Sequence, residues 1–432
     1  MYNFILMSLL ACNNEESQES STKANTLPAE TMEGPSYNTI SDVIQAAIED
    51  SDTGNESTES QEEDISEWTF MVFINGDSDL EYAGIDDINE MEVTGSSEDV
   101  QIIVQYDRSE GFATEDGDWH GARRYRIEQD DSENIGSPVL EDLGVVDSGD
   151  YNTVVDFVEW TAERYPAKKY ALVVWNHGAS WYFQPNEPQK GISVDYDTGS
   201  IISVANGDFS RMLSDVYDIL GQKIEMLGMD ACIMQSWEIA YEAAPFANYF
   251  VASQDYEGFD GWNYEGTMAD LVEHPAMNGE DLGSSVGLRF IETGDLTQST
   301  IDLRRLNELN TKLNQFAEEF IENPEFSTYQ QSVERSYSYD GEWGVDHDMR
   351  GFLSTFTRRA ENERLRVKAQ EAIDVLDRIV LSNYTHDDLS GANGLSIYSP
   401  SIYLADIDTS YLNATWSEET KWDDMLLAVF EQ

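Results

Sequence analysis

The chain has 432 residues, 40% apolar and 11% aromatic, so it can bury a sizeable core and global disorder is excluded. Its 85 Asp and Glu face only 24 Lys and Arg, a formal net charge of −61. A surface of that sign repels phosphate backbones, which excludes nucleic acid as a partner. It suits high salt, draws basic substrates and otherwise serves as plain solvated charge.

The opening stretch, MYNFILMSLLACNNEES, is a short apolar run that ends at Cys12 and then turns polar. Residues 1–12 resemble a bacterial lipoprotein signal, which implies that Cys12 is lipidated and that the protein is exported, to the cell envelope or beyond. The Lys or Arg that usually opens such a signal is missing, so an ordinary export signal and an unprocessed tail stay open as readings. No later stretch reaches the roughly 18–20 apolar residues that span a bilayer, so membrane attachment is expected only through this lipid. Residues 13–65 are rich in Ser, Thr, Asn and Glu, with Lys23 as the lone base. Such a segment cannot bury enough apolar surface to offset its ordering entropy and reads as a disordered acidic tether, with a short amphipathic helix over 41–50.

At EWTFMVFING the composition changes, and a folded domain is expected over 66–432. Apolar runs at 68–74, 100–106, 170–175, 223–229 and 247–253 are rich in β-branched and aromatic residues and predict buried strands. Between them, 83–92, 151–165, 207–220 and 234–244 carry helical patterns. This alternation predicts an α/β fold, a mostly parallel sheet with helices on both faces, and functional groups at the carboxyl ends of the strands. Beyond residue 286, long helices at 301–322 and 358–380 and a strand at 394–400 are expected to complete the domain.

The two cysteines, Cys12 and Cys232, stand in contexts too different for a disulfide framework. Cys232 follows a strand in KIEMLGMDACIMQ, and among five histidines only His177, in YALVVWNHGASW, follows a strand in the same way. Parallel strands put that thiol and imidazole at one sheet edge. A neighbouring imidazole, or a helix starting near Ile233, would make the thiol nucleophilic at neutral pH. Gly178 lacks a side chain, so its N–H and that of Cys232 can form an oxyanion hole. The competing reading is a core cysteine beside an unrelated loop histidine.

These residues, with the segments 70–108, 118–127, 143–181, 252–264 and 394–400, resemble the clostripain family of cysteine peptidases, which shares its arrangement with caspases, gingipains and legumain. The likeness covers most of 68–400 in order. It implies a caspase-like α/β/α sandwich, a His177–Cys232 dyad, a thioester acyl-enzyme and cleavage of proteins or peptides after Arg or Lys. Asp230, two residues before Cys232, can face the same side of the sheet and floor a pocket for a substrate cation. By the resemblance, Asp260 in GFDGW supplies a second acid there. The alternatives are a capping Asp230 and a plain loop Asp260.

Family members are often zymogens that cut themselves between histidine and cysteine. The one base in QPNEPQKGISVD, residues 184–195, predicts self-cleavage at Lys190–Gly191. Some members need calcium; the acids here can supply oxygen ligands, but no EF-hand spacing occurs, so no calcium or other metal residue is named. The chain is expected to act as a monomer. Gly-Asp-Ser at 76–78 could suggest a serine esterase, but Asn383 stands where the Asp before a late histidine, His386, is needed. Metal hydrolysis lacks its His-Glu-x-x-His, and His347 reads as a surface histidine in an acidic loop. A binding protein on an inactivated peptidase scaffold is the remaining alternative, and it predicts loss of a dyad residue.

Overall fold

The computed structural model describes residues 65–181, 191–294, 296–339, 345–386, 389–403 and 407–431. Cys12, the helix expected over 41–50 and Lys190 lie outside the described residues. In chain order the strands are β1 (Ser66–Gly76), β2 (Val100–Arg108), β3 (Gly121–Arg126), β4 (Val139–Gly144), β5 (Ala167–Trp175) and β6 (Ile224–Asp230). Then come β7 (Ala247–Ala252), β8 (Thr297–Asp302), β9 (Asp346–Asp348), β10 (Val380–Thr385) and β11 (Ser396–Tyr398).

Among the described residues, nine strands form one sheet in the order β10-β8-β7-β6-β5-β1-β2-β3-β4, and β9 pairs with β11 separately. The centre, from β7 to β2, is parallel. Both margins are antiparallel, through β8 and β10 on one side and β3 and β4 on the other.

The central strands are apolar throughout because both faces are covered. Along β1, Trp68, Phe70, Val72 and Ile74 enter one core, while Met71 and Phe73 enter the other, as the two-residue pleat requires. Helices α1 (Glu81–Thr94), α5 (Tyr264–Glu273) and α6 (Gly279–Glu292) cover the first face. The second is covered by α2 (Tyr151–Arg164), α3 (Asp208–Leu220), α4 (Trp237–Ala243) and α7 (Leu306–Glu322), with much of the C-terminal third behind them. No helix among the described residues is long and apolar enough to cross a membrane.

Two expected helices are shorter than their patterns. The segment 301–322 opens as the end of β8, and the Asp302 side chain accepts from Arg304 N–H to start a short turn before α7. The segment 358–380 holds the end of one helix (Met349–Arg359) and then another (Glu363–Ile379), capped by Asn362 and running straight into β10.

Candidate active site

Strands β5 and β6 run parallel with Trp175 opposite Asp230. His177 and Cys232 each follow that pair by two residues, so equal exits bring them to the same place. Both are buried, and both line one cleft with Leu80, Trp175, Asp230 and Phe259. The sheet edge therefore carries the imidazole, the thiol and a carboxylate together.

Gly178 explains how closely the two loops approach. A Cβ at this position would lie 2.4 Å from the Cys232 carbonyl oxygen and 3.0 Å from Ala231 Cβ, so no side chain fits. The Cys232 thiol in turn accepts a hydrogen bond from Glu257 N–H at 3.5 Å.

The helix expected from Ile233 starts later, at Trp237, where the Ser236 side chain caps it through Ile239 N–H. Ile233 itself adopts φ of +50°, a strained backbone for a β-branched residue. Its N–H donates to Asp255 O at 3.0 Å, and Gln235 N–H donates to Ser253 O at 2.8 Å. These cross-links to the β7 exit use the backbone donors that an earlier helix start would have turned toward the thiol. Cys232 is thus held beside a strained turn, with no helix starting directly behind it.

Asp79 is a contact that the sequence concealed. The acids after β1 read as caps for the next helix, yet the residue at the start of α1, Leu80, makes no side-chain cap. Instead Asp79 Oδ1 lies 2.8 Å from His177 Nε2 and accepts from the Tyr196 hydroxyl at 3.2 Å. The Tyr196 ring stacks over the imidazole at 6.4 Å. Burial alone would raise the Asp79 carboxyl, but the hydrogen bond and charge of His177, with Tyr196, hold it below its ordinary value. An ionised carboxylate only accepts, so Nε2 carries the hydrogen and Nδ1 is the ring atom left for chemistry.

Asp230 is 3% exposed and accepts from Tyr264 Oη at 2.9 Å and Trp262 N–H at 3.3 Å. Gly261, at φ +54°, lets the backbone pass this carboxylate, since a Cβ there would lie 3.3 Å from both of its oxygens. Asp260 is exposed and is not among the residues lining the cleft; its charge acts on Tyr82 and Asp86 outside it. A different acid stands near Asp230. Burial first, then the charges of Asp230 and Glu90, push the Asp87 carboxyl of α1 well above its ordinary value, against a hydrogen bond from Trp175.

Asp77, Asp107 and Asp195 bring one oxygen each within 4.8 Å of one another at the carboxyl ends of β1 and β2. Burial pushes Asp77 up to about 6, against a hydrogen bond from Ser109 and with the charges of Asp195 and Asp197 adding to the rise. Burial pushes Asp107 up to about 8, opposed by Ser148 and reinforced by Asp77 and Asp195. Carboxylates are hard ligands, suited to calcium or magnesium.

Gly191, the far side of the expected self-cleavage bond, is buried, and Ile192 after it pairs with Ile202. His347 is not a surface residue: it pairs with Ile397 in the small sheet, 3% exposed, and burial pushes its imidazole down to about 4.

Comparison with known proteins matches this architecture. Clostripain of Hathewaya histolytica is 25% identical over 232 residues, 49% of this chain. The chain spans only 44% of that relative's length. A secreted C11 cysteine protease of Bacteroides thetaiotaomicron, solved with an irreversible peptide inhibitor, superposes with a TM-score of 0.61 at 17% identity. That likeness covers 85% of this chain and 100% of the other. An inactive zymogen C11 protease of Parabacteroides distasonis gives 0.59 at 18% identity, over 82% and 98% of the two chains. A family-wide sequence profile matches residues 72–428, most of the folded part. The chain belongs to the clostripain family, peptidase family C11.

Proposed function

We propose that the protein is an exported cysteine endopeptidase that cleaves after Arg or Lys, with Cys232 as nucleophile and His177 as its acid–base partner. The observation that carries this reading is the shared cleft at equal exits from β5 and β6, with Asp230 in the same wall. The relative from Bacteroides is described as secreted, which supports export.

In the proposed reaction the Cys232 thiol passes its proton to His177 Nδ1 as its sulfur attacks the scissile carbonyl carbon, and the carbonyl oxygen takes up negative charge. The N–H groups of Gly178 and Cys232 receive that oxyanion. As the tetrahedral species collapses, the C–N bond breaks and protonated His177 gives its Nδ1 proton to the leaving amine. The thioester that remains is opened by water, which returns the proton and the thiol. Asp79 holds the ring by Nε2, so it is a positioning residue.

Asp230 meets the guanidinium or ammonium of the residue before the cut bond, with buried Asp87 adding negative potential behind it. Asp260, exposed beside Gly261, is a rim charge for the same side chain. Self-cleavage at Lys190–Gly191 would leave a new N-terminus next to a paired segment, because Ile192 is tied to Ile202.

The test uses the full chain, wild type and Cys232→Ala, with fluorogenic peptides ending in Arg, Lys, Asp or Leu. Cleavage after Arg and Lys only, abolished by the substitution, is expected. Turnover that survives Cys232→Ala would sink the mechanism, and equal turnover of the Asp peptide would sink the acidic pocket. If no basic peptidyl ketone labels Cys232, even after an activating protease, the inactive-scaffold reading takes its place.

A further inference from the structure

Phe112, on the loop after β2, is 50% exposed. A lone surface aromatic is ordinary, but this one is the outer end of a row of rings. It meets the Tyr196 ring edge to face, with centroids 6.2 Å apart and planes at 75°. The Tyr196 ring in turn lies nearly parallel to the His177 imidazole, at 6.4 Å and 11°. The row leads from the reacting ring out to solvent.

Both aromatic residues stand on fixed backbone. Beside Phe112, Arg108 Nε donates to Glu81 Oε1 at 2.6 Å, and neither of these side chains is exposed. Ala113 N–H donates to Glu81 Oε2 at 2.8 Å, and the Ala113 carbonyl accepts from Arg108 at 3.2 Å. Burying two charges is costly unless their remaining hydrogen bonds are filled, and the loop that carries Phe112 fills one on each. Tyr196 N–H donates to the Asp77 carbonyl at 2.9 Å, and its hydroxyl donates to Asp79 at 3.2 Å. A surface set in advance loses little freedom when a ligand arrives.

The chemistry at His177 says which part of a substrate comes here. His177 protonates the leaving amine, so the residues after the cut bond start beside the imidazole. An extended chain advances about 3.3 Å per residue, so the first two of these residues cover the 6.4 Å from imidazole to Tyr196. There the two rings, at 75°, make a corner with two apolar walls. The pocket for the residue before the cut is separate, because neither Phe112 nor Tyr196 lines the cleft with Asp230.

We propose that Phe112 and Tyr196 form a subsite for an aromatic or long aliphatic side chain on one of the first two residues after the cut bond. The subsite rests on the peptidase reading and adds to it a preference that Asp230 does not set.

The experiment uses the full chain with calcium present, as wild type, Phe112→Ser and Phe112→Leu. Internally quenched peptides carry a single Arg, with Phe, Leu, Ser or Asp placed first or second after it and Ala at the other position. An Arg-coumarin amide, which has no residue after the cut, is run beside them. In the wild type, kcat/KM at the better position is expected to favour Phe over Ser by roughly tenfold. That ratio is expected to fall to about twofold or less in Phe112→Ser, and to be largely kept in Phe112→Leu, which retains an apolar wall. A ratio taken within one enzyme is untouched by the fraction folded, so a stability defect would not mimic the result. Comparing Phe with uncharged Ser also sets aside repulsion from exposed Glu110 and Asp197.

Cleavage of the coumarin with equal turnover of Phe and Ser peptides would overturn the subsite and leave the peptidase reading standing. A preference that survives in Phe112→Ser would do the same. No cleavage of any substrate, even after an activating protease, would remove the peptidase reading and the subsite with it.

Discussion

Asp79 and His177, 98 residues apart, meet through a 2.8 Å hydrogen bond between a carboxylate oxygen and Nε2. The contact turns the loop after β1 into a support for the imidazole, and it engages Nε2 rather than Nδ1. Asp79→Asn keeps the shape but removes the carboxylate charge beside the ring. A fall in kcat/KM of at least roughly 100-fold is expected, with the melting temperature unchanged. A general folding defect would move both, and an effect below about twofold would remove Asp79 from the mechanism.

Asp230 and Asp260 are separable. Asp230→Asn retains an acceptor for Tyr264 Oη and Trp262 N–H, so the wall should survive while its charge is lost. We expect turnover of Arg and Lys peptides to drop by roughly 100-fold. Asp260→Asn, on an exposed loop, should change it by no more than about threefold and make it less sensitive to salt. The reverse ranking in a steady-state assay would transfer the pocket to Asp260.

Gly178→Ala tests the contact between the two loops. The added methyl carbon would lie 2.4 Å from the Cys232 carbonyl oxygen, so one loop must move. A loss of about 1–3 kcal/mol in stability is expected, with turnover falling further than binding. A variant with wild-type melting and turnover would show that the loops do not need this closeness.

Glu238, in α4 soon after Cys232, predicts a pH dependence. Burial pushes its carboxyl up to about 7, although Tyr398 N–H, Tyr411 Oη and Ser236 oppose the rise. The folded state then holds this proton more tightly than the unfolded chain. Its contribution to stability is complete below about pH 4.5 and fades as pH rises to about 7. Glu238→Gln keeps an acceptor for Tyr398 N–H and Tyr411 Oη and should melt with a flatter pH profile, gaining on wild type toward pH 7. Parallel melting curves from pH 4 to 8 would refute this assignment.

Much of this was legible in the sequence for a physical reason. A strand buried on both faces must be apolar throughout, so β1, β2, β5, β6 and β7 stand out, and their exits point to His177 and Cys232. The marginal strands do not. GARRYR in β3 has its arginines paired with acids and glutamines, and TQSTID in β8 buries polar side chains whose Thr297, Ser299 and Thr300 hydroxyls find partners. Neither carries an apolar pattern to read. Asp79 was hidden because an acid just before a helix normally caps it, and only the folded chain reveals its turn toward His177. His347 was misread for a similar reason: its acidic neighbours suggested solvent, while pairing with Ile397 took it inside.

The C-terminal third has a consequence for any attempt to trim the molecule. Ser396 N–H and Oγ both bond the Gln235 carbonyl, and Tyr398 N–H and Tyr411 Oη grip Glu238 from the same side. The strained turn at Ile233 sits between the β6 exit and these grips, so the residues around Cys232 are anchored from both ends of the fold. A fragment ending near residue 286 would retain His177, Cys232 and the cross-links from Ile233 and Gln235 to the β7 exit, but would lose the grips on the Gln235 carbonyl and on Glu238. The smallest unit that holds the Cys232 turn from both sides is therefore nearly the whole folded chain, and its last segments support that turn as its first strands do.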